Sequence, residues 1–367
     1  MEKVISTGFG YHHPQNGEKG MNQPQFYVGI DIASATFTSA IGQMGEKWQI
    51  VVKPETFDNT YDSFPRYLKW LQDHGVRADH AILCMEATGV YNEVLAHFLV
   101  ANGYSVSIEP PLKVKRAFTP EGHKSDPMDS CQISEYAYRF WDKLSLWKPR
   151  QEILEQIKTL LTTREQFVVE KAGHAHALAA LKRKVVRTPL AEQLHTTAMT
   201  QLKAHILQME AEIQRLIDQD PTFRNTVLLL MSIPGVGLLL AAHMLITCQT
   251  APQPLSPKHL AAFVGICPYQ DTSGTSLHHT PTSRHYGPPG LRKLLFLAAL
   301  SLRTHNRPFQ LYFLRKVNQG KPGKLVINNI ANKLLKIMVA VIRSNTPFIP
   351  NYHSVNPGLL KMALTKS

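Results

Sequence analysis

The sequence predicts an α/β domain followed by an all-α remainder. Three observations lead there. Short runs rich in β-branched and aromatic residues crowd the first third of the chain, an apolar seam at heptad spacing crosses the middle, and residues 221–367 are helical in pattern and nearly devoid of acids.

Residues 26–31 (FYVGID), 35–42 (ATFTSAIG) and 47–53 (KWQIVVK) read as three successive strands. Phe64, Leu68 and Leu71 at helical spacing predict a helix over 57–74. A buried strand follows at 80–86 (HAILCME), a helix around 90–102, a strand at 104–109 (YSVSIE), and a helix that opens near Pro127. Three strands and then alternating helices and strands is the order of a ribonuclease-H-like (RuvC-like) domain over 26–146, closed by Trp147-Lys148-Pro149. Residues 1–25 read as a flexible leader without the apolar centre of a signal peptide. No apolar run reaches the roughly 18 residues of a membrane span. Cys84, Cys131, Cys248 and Cys267 are far apart and suit reduced thiols. A cytoplasmic protein with no membrane partner is expected.

In the segment 147–221, Met199, Leu202, Ile206, Met209, Ile213 and Leu216 repeat at alternating spacings of 3 and 4, a coiled-coil seam ended by Asp220-Pro221. A broken version runs through Ile153, Ile157, Leu160 and Phe167 in a helix over 150–184, and the Arg187-Thr188-Pro189 turn separates the two. Packing within one chain and packing on a partner chain both fit, with dimerisation the favoured use. Over 222–346, Leu228–Met231, the turn Ile233-Pro234-Gly235-Val236-Gly237 and Leu238–Ile246 form a helix-hairpin-helix. Further helices are predicted at 289–304, 308–317 and 324–343, with a loop at 267–288 and a patternless tail at 347–367.

The net charge of +13 is concentrated. Residues 221–367 hold sixteen Lys and Arg against one acid, Asp271, whereas the first 220 residues are close to neutral. Such a field calls for a polyanion, and nucleic acid is the natural one.

Four acids stand out in the first domain. Asp31 ends the first strand and Glu86 a later central one, so both belong at one edge of the sheet, where carboxylates hold hard divalent cations. Asp126 and Asp129 flank Pro127 at i, i+3 on the first turn of a helix. Two Mg²⁺ ions held by such a cluster would polarise a phosphodiester. Each acid taken singly also has a plain structural reading, such as a helix cap for Asp126.

In the basic part, Thr272, Ser273, Thr275 and Ser276 surround Gly274. This is either a polar turn or a serine nucleophile beside a glycine that lets a phosphate approach. Arg284, Arg292 and Lys293 lie around Gly287-Pro288-Pro289-Gly290 as a phosphate-clamping surface. Gly235 and Gly237 offer backbone N–H groups to a phosphate. The histidines show no metal-ligand spacing.

The motifs YVGIDIASATF, CMEATGVY, KSDPMD, SIPGVG, FVGICPYQDTSG and GLRKLLFLAAL stand in one order over nearly the whole chain after residue 25. Together they closely resemble the DEDD-type insertion-sequence transposases, the Piv/MooV invertase family, also called bridge-RNA-guided recombinases. The resemblance implies that Asp31, Glu86, Asp126 and Asp129 bind metal and that Ser273 attacks DNA to form a phosphoserine link, with Thr272 and Ser276 close by. It also implies a noncoding guide RNA paired with donor and target DNA. The assembly it implies is a dimer of dimers in which the nuclease-like domain of one protomer completes the serine site of another. Two other functions fit the residues: a metal-only, resolvase-like nuclease using water, and a non-catalytic nucleic-acid-binding regulator.

Overall fold

The computed structural model describes residues 23–45, 47–87, 89–118, 126–250, 256–273, 277–283 and 287–350, with the backbone alone at 126–127, 250, 268–273 and 277–282. The chain divides into two compact units, Met1–Pro149 and Arg150–Ser367.

The first unit is a five-stranded mixed sheet with helices on both faces. Its strands are β1 (Phe26–Ile32), β2 (Thr36–Met44), β3 (Trp48–Asp58), β4 (Ala81–Glu86) and β5 (Ser105–Glu109). They lie in the order β3-β2-β1-β4-β5. The first three pair antiparallel, and β1–β4 and β4–β5 pair parallel. Helices α1 (Phe64–Asp73), α2 (Glu93–Ala101), the short α3 (Pro111–Lys115) and α4 (Asp126–Arg139) complete the unit. Side chains alternate across each strand. Val28, Ile30, Phe37, Ile41, Leu83 and Met85 join Phe64, Tyr67 and Leu95 in one core. Tyr27, Ile82 and Cys84 point the other way and join Ile133, Tyr136 and Ala137 of α4.

Two boundaries differ most from the sequence expectation. The helix predicted over 57–74 begins at Phe64, because β3 continues to Asp58. Phe57 is paired opposite Phe37 and its ring stacks on that residue at 5.5 Å. β3 lies at the sheet edge, which is where a strand tolerates Pro54. The turn α3 was not foreseen at all.

Among its described residues the second unit is helical except for one hairpin. Its helices are α5 (Glu152–Leu181), α6 (Pro189–Gln219), α7 (Pro221–Met231), α8 (Leu238–Thr250) and α9 (Pro257–Val264). After the hairpin come α10 (Pro289–His305), α11 (Arg307–Asn318) and α12 (Gly323–Ser344). Leu154, Ile157 and Leu161 of α5 and Ile213 and Leu216 of α6 share a single core with α7–α10 and α12. The C-terminal seam residues Ile213 and Leu216 are thus used on packing within the chain, while Met199, Leu202 and Met209 are only partly buried. Arg164 of α5 meets Glu210 of α6 at 2.7 Å. Farther out, Val169, Leu190, Leu194 and Leu207 stay exposed. Asp220 caps α7, its carboxylate accepting from the N–H groups of Thr222 and Phe223 at 2.8 and 3.1 Å.

The segment expected as a loop at 267–288 contains an antiparallel hairpin, β6 (Pro268–Ser273) and β7 (Leu277–Ser283). Its segments, PYQDTS and LHHTPTS, are mostly polar, so no apolar alternation marks it in the sequence. Helix α12 is long and apolar enough to cross a membrane, contrary to the expectation from apolar runs. Val326, Ile330, Leu334, Leu335 and Met338 are nevertheless buried among the other helices, which is the pattern of a core helix.

Candidate functional site

The register of the first unit aligns a polar row across one end of its sheet. Thr56 pairs with Thr38, and Thr38 with Asp31. Ile30 pairs with Met85, so Asp31 and Glu86 occupy the next matched positions on adjacent parallel strands. Glu86 in turn pairs with Glu109. Adjacent strands are about 4.8 Å apart. By strand alternation the whole row lies on the face that carries Tyr27, Ile82 and Cys84, the face covered by α4.

Helix α4 crosses that face against the direction of β1. Ser134 Oγ donates to the carbonyl of Tyr27 at 2.6 Å. A Cβ on Gly29 would lie 2.1 Å from the carbonyl oxygen of Ser130 and 2.2 Å from the nitrogen of Ser134. Ser130, Ile133, Ser134 and Ala137 are the buried stripe. One turn earlier stand positions 126 and 129, so the helix start leads toward the end of β1 that carries Asp31. Asp31, Glu86 and Asp129 are partly buried, while the side chain of Asp126 lies outside the described residues. Among the described residues, no three Asp, Glu, His or Cys side chains form a group able to hold a metal ion. The chemistry of the donors, carboxylates alone, fits a hard divalent cation.

Gly29 is the residue that permits this approach. Gly29→Ala is expected to force α4 off the sheet and to destabilise the first unit by about 2 kcal/mol. Denaturant unfolding of the full chain measures this, and an unchanged transition would contradict the close contact.

One buried acid escaped the sequence reading. Glu109 is 3% exposed and accepts from Lys113 Nζ at 2.6 Å and Ser107 Oγ at 3.1 Å. Burial pulls the Lys113 ammonium down, but the bond to Glu109 and the charges of Glu109 and Tyr136 outweigh it and hold its pKa above the usual value. Ending β5 as Glu86 ends β4 was the available signal. The ion pair sets the Lys113 charge against Glu109, next to Glu86.

In the second unit, Ser273 is the last residue of β6 and pairs with Leu277 of β7. Its side chain, together with Gly274, Ser276 and Arg284, lies outside the described residues. Arg292 Nη1 donates to the carbonyl of Val264 at 3.0 Å, holding the end of α9. Lys293 pairs with Glu165. Gly235 adopts a left-handed φ of +82° in the α7–α8 turn and packs on Leu302, where a Cβ would stand 3.1 Å from Cγ. That accounts for the glycine through packing. Gly237 precedes α8 with open space around it.

Comparison with known proteins bears on both units. A family model described as Transposase matches residues 28–185, and one described as Transposase IS116/IS110/IS902 family matches 227–314. The Pilin gene-inverting protein of Moraxella bovis is 30% identical over 333 residues, covering 89% of this chain and 98% of its own. The chain belongs to the IS116/IS110/IS902 transposase family. It is therefore a DNA transposase or recombinase. The Pilin gene-inverting protein of Moraxella lacunata matches this transposase equally, at 30% identity over 98% of its length. An Insertion element IS110 protein of Streptomyces coelicolor shares 29% identity over 140 residues, 38% of this chain and 33% of its own.

Proposed function

We propose that this transposase cuts and rejoins DNA through a phosphoserine link at Ser273, with Asp31, Glu86, Asp126 and Asp129 holding Mg²⁺ and an element-encoded RNA choosing donor and target DNA. The observation that carries the reading is the alignment of Asp31 and Glu86 on the sheet face covered by α4. The strand order, antiparallel for three strands and parallel for the last two, supports a ribonuclease-H-like first domain. The gene inversion named for the Moraxella relatives is a reaction of the same class, DNA strands cut and rejoined in a new order.

When bound, Mg²⁺ would neutralise charge on the phosphodiester and on the departing oxygen. Asp31 and Glu86 at the strand ends, and Asp126 and Asp129 at the start of α4, would hold it. The Ser273 Oγ forms a bond to phosphorus as the P–O bond to one deoxyribose breaks. The seryl proton is given up and the departing oxygen takes one, so the phosphoester is conserved. Rejoining is the reverse step with a hydroxyl of another strand, and water takes no part.

The N–H groups near Gly235, Gly237 and Gly274, with Arg284, Arg292 and Lys293, serve as phosphate contacts. The exposed Leu190, Leu194 and Leu207 on α6 offer the apolar surface for self-association into a dimer and a dimer of dimers. The reaction belongs to the cytoplasm, at the nucleoid.

The charge distribution makes a direct expectation. Affinity for duplex DNA and for RNA should fall steeply with salt, each neutralised phosphate contributing a slope of about −0.9 in log K against log salt for duplex. Fluorescence anisotropy of the full chain across a salt series measures it, and a flat response contradicts binding through the basic unit.

A further inference from the structure

A cavity of ≈ 500 Å³ opens in the second unit, bounded by residues 158–166 of α5, α8, the end of α9 and the start of α10. Part of its lining is apolar and aromatic, made by Leu161, Leu239, Ile246, Leu294 and the rings of His243 and Phe263. Phe263 is 47% exposed, so an aromatic ring of the cavity lining is open to solvent. His243 is pressed against Gly290, where a Cβ would come within 2.7 Å of Cε1. Burial lowers the His243 pKa to about 4, with Glu165 opposing the shift and Arg164 adding to it. The imidazole is therefore neutral at neutral pH and offers one donor and one acceptor nitrogen.

The rim is ionic. Arg150, Lys158, Arg164 and Lys293 line it. Glu155 takes both Arg150 and Lys158, Glu210 takes Arg164, and Glu165 takes Lys293. Four cations share three carboxylates, so one positive charge is in excess at the mouth. An inorganic anion would leave the apolar wall unused, and a hydrophobic ligand would leave the charged mouth unused. A nucleotide uses both, with a flat base for the aromatic wall and a phosphate for the rim.

We propose that this cavity receives one unstacked nucleotide of the bound nucleic acid, its base stacked on Phe263 with an edge toward His243 and its phosphate at the Arg150–Lys158 rim. The proposal rests on the reading that this unit binds nucleic acid, and adds to it a site for an unpaired base. RNA and single-stranded DNA share this chemistry.

The test uses the full chain with short single-stranded DNA and RNA oligonucleotides, each carrying one 2-aminopurine, and with the matching duplexes. Phe263→Ala removes the stacking ring, and Thr162→Trp, at an exposed position of α5, fills the cavity. Each is expected to weaken single-strand binding about tenfold, to abolish the change in 2-aminopurine emission on binding, and to leave duplex affinity and its salt slope unaltered. The arm that responds, RNA or DNA, names the source of the nucleotide. Salt-sensitive wild-type binding that ignores both variants, or that falls equally for single strands and duplex, overturns the cavity while the nucleic-acid reading stands. No wild-type binding to either nucleic acid overturns both.

Discussion

Glu86→Gln is expected to slow DNA strand cleavage by roughly three orders of magnitude while the chain stays folded. Glu86 ends a strand whose five preceding residues are buried, yet is itself partly exposed, so an isosteric amide is accommodated without a cavity. What the amide lacks is the negative charge. On the proposed reading that charge is one of two contributed by adjacent parallel strands to the same divalent ion. Cleavage of DNA substrate in Mg²⁺ gives the rate, and calorimetric titration of the full chain with Mn²⁺ gives the binding. Both should fall together in Glu86→Gln and in Asp31→Asn. Full cleavage in either variant would remove the strand-end carboxylates from the mechanism.

Ser273→Ala is expected to abolish the covalent protein–DNA link altogether. The hydroxyl is a weak nucleophile at neutral pH and requires activation. Asp271 is the sole carboxylate in residues 221–367, and it lies on the same strand two residues away. The proposed activating carboxylates belong to the other unit, which motivates a site completed by a second protomer. Denaturing electrophoresis of reactions on end-labelled DNA detects the link. Mixing Ser273→Ala with Asp126→Ala should restore part of the cleavage, since mixed assemblies contain some sites with both functions intact. No restoration, in mixtures shown by differential tagging to contain hybrid oligomers, would count against sharing between protomers. An adduct that persists in Ser273→Ala moves the nucleophile, with Ser276 next to be replaced. Cleavage without any adduct in the unaltered chain returns the reaction to water and a metal-only nuclease.

The sequence by itself determined the elements whose signals are local. The β-branched runs of β1 and β2, the helical period of α6 and its stop at Asp220-Pro221 all act within a few residues of themselves, and each element stands close to where it was predicted. Charge segregation was equally legible, because it needs only counting. Tertiary structure decided whatever depends on partners far along the chain. That Asp31 and Glu86 share a face follows from the parallel register of β1 with β4, two strands with a whole β2–β3–α1 excursion between them. The need for glycine at position 29 is visible only when α4 is laid across it. Glu109 became a buried ion pair because Lys113 returns over it on a turn that has no periodicity to announce it. The last turns of the α6 seam, Ile213 and Leu216, turned inward because α5 and the later helices supply apolar surface within the same chain. The cavity at His243 exists because four helices, α5, α8, α9 and α10, leave it between them. Period and composition are properties of a segment, whereas register, close approach and enclosure are properties of pairs of segments, and only the folded chain brings those pairs together.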